Sequence, residues 1–197
     1  EAVSATPSIP FSRNRSGLTI GDAAAFFLVS REANSSPFQI LGMGESSDAD
    51  HVTAPRADGE GAVQAILKAL KDAQISAKDV DYINLHGTGT KLNDAMESVA
   101  VHRVFGDNTK SSSTKGLTGH TLGASGALEA AFCCLALSDE NPNRELPVHY
   151  FDGERDLSIP QIHLVSLGER AEKLNICMSN SFGFGGCNVS LVLARNA

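Results

Sequence analysis

The stretch YINLHGTGT, residues 82 to 90, constrains what this chain can fold into more than any other. Tyr82, Ile83 and Leu85 form an apolar run suited to a buried strand, and the glycines and threonines after them form a turn. His86 stands at the junction. Strand ends are where a rigid scaffold presents chemistry, which makes this histidine the first candidate functional residue. Upstream, GEGAVQAILKALKDAQ sets Val63, Ile66, Leu67 and Leu70 on one helical face, and SAKDV leads into the strand. Downstream, DAMES offers Asp94 as a helix N-cap with Glu97 three residues on, and Met96, Val99 and Ala100 supply the stripe of a second helix.

The alternation continues along the chain. Residues 17 to 30, GLTIGDAAAFFLVS, read as a buried strand, with a helix at its start the alternative that the alanines leave open, and residues 38 to 44, FQILGMG, as another strand. SSSTKGLTGHTLGASGALEAAFCCLALSD opens polar and then becomes a helix crowded with glycine, alanine and serine, small residues that let a helix approach a neighbouring backbone closely. Residues 139 to 160 carry Pro142, Pro147 and Pro160 among polar groups and read as a long surface connection. NICMSNSFGFGGCNVSLVLAR is two apolar strands around a glycine-rich tip, a hairpin. Helices alternating with strands and ending in a hairpin imply a mixed α/β sheet covered by helices.

Composition removes several function classes. At 197 residues with 42% hydrophobic content the chain can fill one core, or one lobe of a larger one. The net charge of -7, with lysines and arginines scattered, leaves no basic footprint for nucleic acid. No apolar run approaches the roughly 20 residues that span a bilayer, and the first residues lack the order of a signal peptide, so no membrane partner and a cytoplasmic location are expected. Cys133, Cys134, Cys177 and Cys187 have no zinc spacing and are expected reduced and mostly buried. No metal site is expected at the histidines, and GFGGCN lacks the G-x-G-x-x-G spacing of a nucleotide loop.

Three polar stations remain: His86, the Lys115 and His120 pair, and the tip SFGFGG at 181 to 186. Singly, each is more commonly structural than functional. Together, HGTGT, STKGLTGHTLGASGALE and NSFGFGG stand in the order and spacing of one family, and PFSRNRSGLTIGDAAA resembles that family's mid-chain motif. The chain resembles the C-terminal half of the β-ketoacyl-[acyl-carrier-protein] synthases, condensing enzymes with the thiolase-like fold. The resemblance implies an α/β fold, the C-terminal half of the thiolase-like architecture, with a mixed five-stranded β-sheet covered by α-helices. It further implies a connecting segment over residues 1 to 16 and a C-terminal lobe over 17 to 197, the N-terminal lobe with the nucleophilic cysteine lying outside the chain.

The resemblance also assigns roles. His86 and His120 match the two active-site histidines, Lys115 the lysine before the second of them, and Glu129 the acidic residue that interacts with that lysine. Thr88 and Thr90 match the threonines that bind the phosphopantetheine arm. Phe182 and Phe184 lie in the mobile glycine-rich loop, where the second phenylalanine gates the acyl pocket. Lys91 stands where proline is commoner in the family. The implied activity is decarboxylative condensation of a malonyl thioester with an acyl-enzyme, without a cofactor of its own because the substrate rides on acyl carrier protein. Implied partners are acyl carrier protein, the N-terminal half of the same enzyme, and a second subunit in a homodimer or ketosynthase heterodimer. A non-catalytic chain-length-factor-like subunit and a scaffolding module are the competing readings. Lys115 and Glu129 are expected within hydrogen-bonding reach, with Glu129 on the first turns of a helix beginning near Leu122.

Overall fold

The computed structural model describes residues 3 to 32 and 36 to 196. Its strands are β1 (Phe38–Ser47), β2 (Tyr82–Asn84), β3 (Lys110–Ser112), β4 (His163–Leu164), β5 (Ile176–Gly183) and β6 (Cys187–Arg195). Its helices are α1 (Glu60–Asp72), α2 (Lys91–Phe105), the single turn α3 (Lys115–Thr118) and α4 (Ser125–Leu137). The strands form one sheet in the order β1-β6-β5-β2-β3-β4. β1, β6 and β5 are antiparallel, whereas β5, β2, β3 and β4 run parallel. The class is therefore the mixed α/β sheet expected, with six strands instead of five; the two-residue β4 forms where the connection after Pro160 runs beside β3 and is too short to leave a periodic signal.

Alternation along the strands divides the core into two. Ile83, Met178 and Val192 face α1 and α2, while their neighbours Tyr82, Cys177 and Leu193 face α4. β2 is buried on both faces, which is why neighbouring Tyr82 and Ile83 are both apolar and do not alternate with exposed polar residues. α1 packs on β1 and β6 through Ala62, Val63, Ile66, Ala69 and Leu70. Leu67, expected on that stripe, is 44% exposed, because the alanines turn the buried face away from it.

Three further expectations need correction. Residues 22 to 31 form no strand: no backbone hydrogen bond joins them to the described residues, and Phe26 and Leu28 are 93% and 98% exposed. An apolar run becomes a strand only beside a partner, and the sheet's edges lie elsewhere. α2 starts at Lys91 with Thr90 as its N-cap, so Asp94 sits inside the first turn and does not cap it. Of the four cysteines, all free, Cys133 and Cys177 are buried, but Cys187 is exposed at the hairpin tip, where no helix covers β6. Among the described residues no helix is long and apolar enough to cross a membrane.

The fit of α1 on β1 depends on Gly42 and Gly44. A Cβ on Gly44 would lie 2.0 Å from the Ala65 carbonyl oxygen and 2.4 Å from the Ala69 nitrogen, both backbone atoms that cannot swing aside. Gly44→Ala is expected to lower stability by about 1–3 kcal/mol in denaturant unfolding as α1 is pushed off the sheet. Leu67→Ala, on the exposed side of the same helix, should shift it by no more than about 0.5 kcal/mol.

Candidate active site

β2 ends at Asn84, and the chain carries Leu85 and His86 to the edge of the sheet before turning at Gly87, whose φ is +32°. A side chain at Gly87 would meet Ser113 Cβ at 2.5 Å and the Phe11 ring at 2.8 Å, so glycine is required for both shape and space. The turn is held by Glu97, fully buried on α2. Its Oε1 accepts from the His86 N–H at 2.8 Å and its Oε2 from the Gly87 N–H at 2.7 Å. Burial pushes the Glu97 carboxyl from its ordinary 4.5 up to about 7, against the pull of these two amides.

Lys115 begins α3 after β3 and is buried completely. Its Nζ donates to the His86 carbonyl at 2.5 Å, lies 3.5 Å from His86 Nδ1, and forms an ion pair with Glu129 Oε1 on the second turn of α4. Ser125 Oγ donates to the same carboxylate oxygen at 3.1 Å. The expected pair is thus present, although residues 122 to 124 form a 3-10 turn and α4 proper starts at Ser125. Glu129 is displaced upward from its ordinary value by burial, which outweighs the ammonium beside it.

His120 follows α3, and its ring meets that of His86 edge to face with centroids 5.3 Å apart. His120 Nδ1 accepts from the Leu122 N–H at 3.2 Å. A backbone N–H can only donate, so the ring proton of His120 sits on Nε2. His86 Nδ1 likewise faces an ammonium, which leaves its Nε2 as donor. Burial, followed by the Lys115 charge, lowers both imidazoles, His120 to about 4 and His86 well below its ordinary 6.5. Two neutral rings therefore share one site at neutral pH.

The other candidates separate. Thr88 Oγ1 lies 2.9 Å from Thr90 Oγ1 on the turn beyond His86. Phe182 is buried with its ring 6.0 Å from that of His86, whereas Phe184 is 73% exposed at the hairpin tip. The tip is anchored from one side: the Asp48 N–H donates to the Gly186 carbonyl at 2.8 Å, the Gly185 N–H to the Val52 carbonyl at 2.7 Å, and Asn188 Nδ2 to Asp48 Oδ1 at 2.7 Å. His149 is buried and structural, with Nδ1 accepting from the Ser113 N–H and Nε2 3.1 Å from the Pro10 carbonyl. Among the described residues no three His, Cys, Asp or Glu side chains gather where a metal ion could be held.

Glu97 was missed as a site residue because its spacing from Asp94 matched a capping box. The readable signal was its place on the inward stripe: Asp94, Glu97, Ser98 and Val101 follow i, i+3, i+4, i+7, and polar groups on such a stripe serve buried partners. Because its folded value lies above the unfolded one, Glu97 contributes stability that is fully present below pH 4.5 and is lost as pH rises toward about 7. Glu97→Gln should abolish that slope in denaturant melts taken across this window. It should also cost about 1–3 kcal/mol, since the amide nitrogen would face an N–H donor.

Comparison with known proteins gives the family. The family described as "Beta-ketoacyl synthase, C-terminal domain" matches residues 38 to 147. The 3-oxoacyl-[acyl-carrier-protein] synthase 2 of Rhizobium meliloti (strain 1021) is 41% identical over 95% of this chain and 45% of its own. A ketosynthase (ApeO) in complex with its chain length factor (ApeC) from Xenorhabdus doucetiae superposes with a TM-score of 0.89 at 46% identity, over 100% of this chain and 48% of the other. A type II polyketide synthase acyl-carrier protein in complex with its ketosynthase bound to the hexaketide (AntDE:AntF) gives 0.82 at 27% identity, over 97% and 48%. The chain spans about half the length of these relatives. With a matched domain covering more than half of its residues, and relatives similar along nearly all of it, this chain belongs to the β-ketoacyl synthase family, of which it carries the C-terminal domain.

Proposed function

We propose that this chain supplies the decarboxylating and enolate-stabilising half of an elongating β-ketoacyl-[acyl-carrier-protein] synthase. The observation that carries the reading is the pair of neutral imidazoles, 5.3 Å apart, each with Nδ1 facing a donor and Nε2–H left to donate. In a malonyl thioester the bond to the carboxylate breaks, its electron pair forms the enolate C=C, the carbonyl pair moves to oxygen, and CO2 leaves. Two Nε2–H donors aimed at that oxygen stabilise the charge as it develops, and burial strengthens them. The enolate carbon then attacks an acyl thioester, whose thiolate departs.

The thiol that carries the acyl group is assigned to the half of the enzyme outside this chain. Cys133 and Cys177 are buried in the core, Cys134 is pushed up to about 11 by burial, and Cys187 is at the hairpin tip. Buried thiols such as Cys133 and Cys177, and a raised one such as Cys134, make poor nucleophiles, and exposed Cys187 opens a hairpin strand and not a strand-to-helix turn. Alone, the chain should therefore not condense. Thr88 and Thr90 would receive the phosphopantetheine arm, and Phe184, exposed on a tip with glycines on both sides, would gate the pocket. Partner proposals follow from the relatives reported with a chain length factor and with an acyl carrier protein. A wholly non-catalytic subunit would have no use for the Lys115–Glu129 pair, which costs desolvation to bury.

Two measurements test this reading. In the complete enzyme His120→Ala should lower malonyl decarboxylation by about a hundredfold to a thousandfold, and an unchanged rate would favour scaffolding. In wild type, NMR should find the His120 ring neutral at pH 6.5 and protonating only near pH 4. The exposed run at residues 22 to 31 is assigned to the interface with the missing half, where it would complete a strand. Its amides should exchange freely in this chain alone and become protected when the other half is co-expressed. Free exchange in both would remove that assignment.

A further inference from the structure

Residues 3 to 21 do more than lead into the lobe. Ser8 Oγ donates to the Gly17 carbonyl at 3.1 Å and lies 3.4 Å from the Thr88 carbonyl, and the Gly17 N–H donates to the Gly89 carbonyl at 3.0 Å. The His120 N–H donates to the Thr19 carbonyl at 2.6 Å, and the Gly21 N–H to the His120 carbonyl at 3.1 Å. The segment thus grips the backbone of both histidine stations.

At its centre is Arg15, buried although it is charged. Nη1 donates to the Ser12 carbonyl at 2.8 Å and to Asp156 Oδ2 at 2.5 Å, and Nη2 donates to the Lys91 carbonyl at 3.3 Å. Nε lies 3.8 Å from Asp94 Oδ2. Asp94 is itself a hub: Oδ2 accepts from the Phe11 N–H at 2.8 Å, and Oδ1 from the Gly89 N–H at 3.2 Å and from Asn93 Nδ2 at 3.2 Å. The planar guanidinium therefore ties three separate pieces of chain together: its own loop, the loop at 156, and the turn that carries Thr88 and Thr90. A lysine offers a point charge without that fork.

We propose that Arg15 is a positioning residue for the carrier arm, fixing the Thr88–Lys91 turn through Asp94 and the Lys91 carbonyl so that both threonine hydroxyls are presented together. The inference rests on the reading of Thr88 and Thr90 as arm-binding residues. It concerns substrate binding, not the chemical step, because Arg15 bonds to the turn beyond His86, whereas the His86 backbone is held by Glu97 and Lys115 and the His120 ring by the Leu122 amide.

The complete enzyme carries the test. Arg15→Gln should raise KM for a malonyl thioester of acyl carrier protein by about tenfold while kcat stays within about threefold of wild type. The same rise is expected with a malonyl-pantetheine thioester lacking the carrier protein, since the arm is what the turn receives. In hydrogen exchange the Gly89 amide should open about tenfold faster, with the amides of α4 unchanged. Asp156→Asn, which removes one anchor of the guanidinium at a partly exposed site, should move both readouts the same way by a smaller factor and decides the matter if Arg15→Gln does not fold. Unchanged KM in the folded variant overturns the proposal, as does a loss confined to kcat or faster Gly89 exchange without a KM change. If wild type turns over no malonyl thioester, the functional reading fails, and the Gly89 exchange rate still decides whether Arg15 holds the turn.

Discussion

One buried ammonium holds the site together. Lys115 Nζ reaches the carbonyl of His86 beyond β2 and the carboxylate of Glu129 on α4, joining three elements through a single charge. Removing either partner would leave a charge in the core with nothing to compensate it, so the arrangement persists as a unit or not at all. The same charge keeps both imidazoles from protonating, the second cause after burial for each. Structure and electrostatics are linked here: the lysine that orients the strand end also adds to burial in keeping the two rings neutral.

A second buried charge acts on the same turn from the other side. Glu97 receives two consecutive amides from His86 and Gly87, so the backbone leaves β2 in one direction. Consecutive N–H groups pointing the same way would otherwise be unsatisfied in the core, at a cost comparable to a lost hydrogen bond each. Glycine at 87 makes that geometry possible, and Glu97 makes it favourable. The loop over Thr88 to Lys91 is then free to be braced separately by residues 8 to 17, which leaves the end of β2 and the threonine turn under different controls.

Much of this was legible from residue order. The apolar Tyr82, Ile83 and Leu85 around β2, the stop at HGTGT, the hairpin and the small-residue helix are local signals, and each appears where its pattern put it. The Lys115–Glu129 pair followed from a family resemblance and from the helical register of α4. The run at 22 to 31 was misread because periodicity reports apolarity alone, whereas a strand needs a hydrogen-bonding neighbour. Leu67 was misread because alanine is apolar enough to define a stripe without looking like one.

By itself the sequence determined the α/β class, the strand that delivers His86 and the exclusion of a nucleic-acid footprint, since these depend on residue type and short-range spacing, whereas the pairing of Lys115 with Glu129 was implied by the family resemblance. Only the tertiary structure decided that His86 and His120 meet edge to face, that both present Nε2–H, that Glu97 is a site residue and not a cap partner, and that Arg15 reaches the threonine turn. The reason is physical. Ring orientation, tautomer and burial are set by atoms distant in sequence, among them the Leu122 amide, the Lys115 ammonium and the Asp94 carboxylate, and no local pattern encodes which of them will be brought within a hydrogen bond's length.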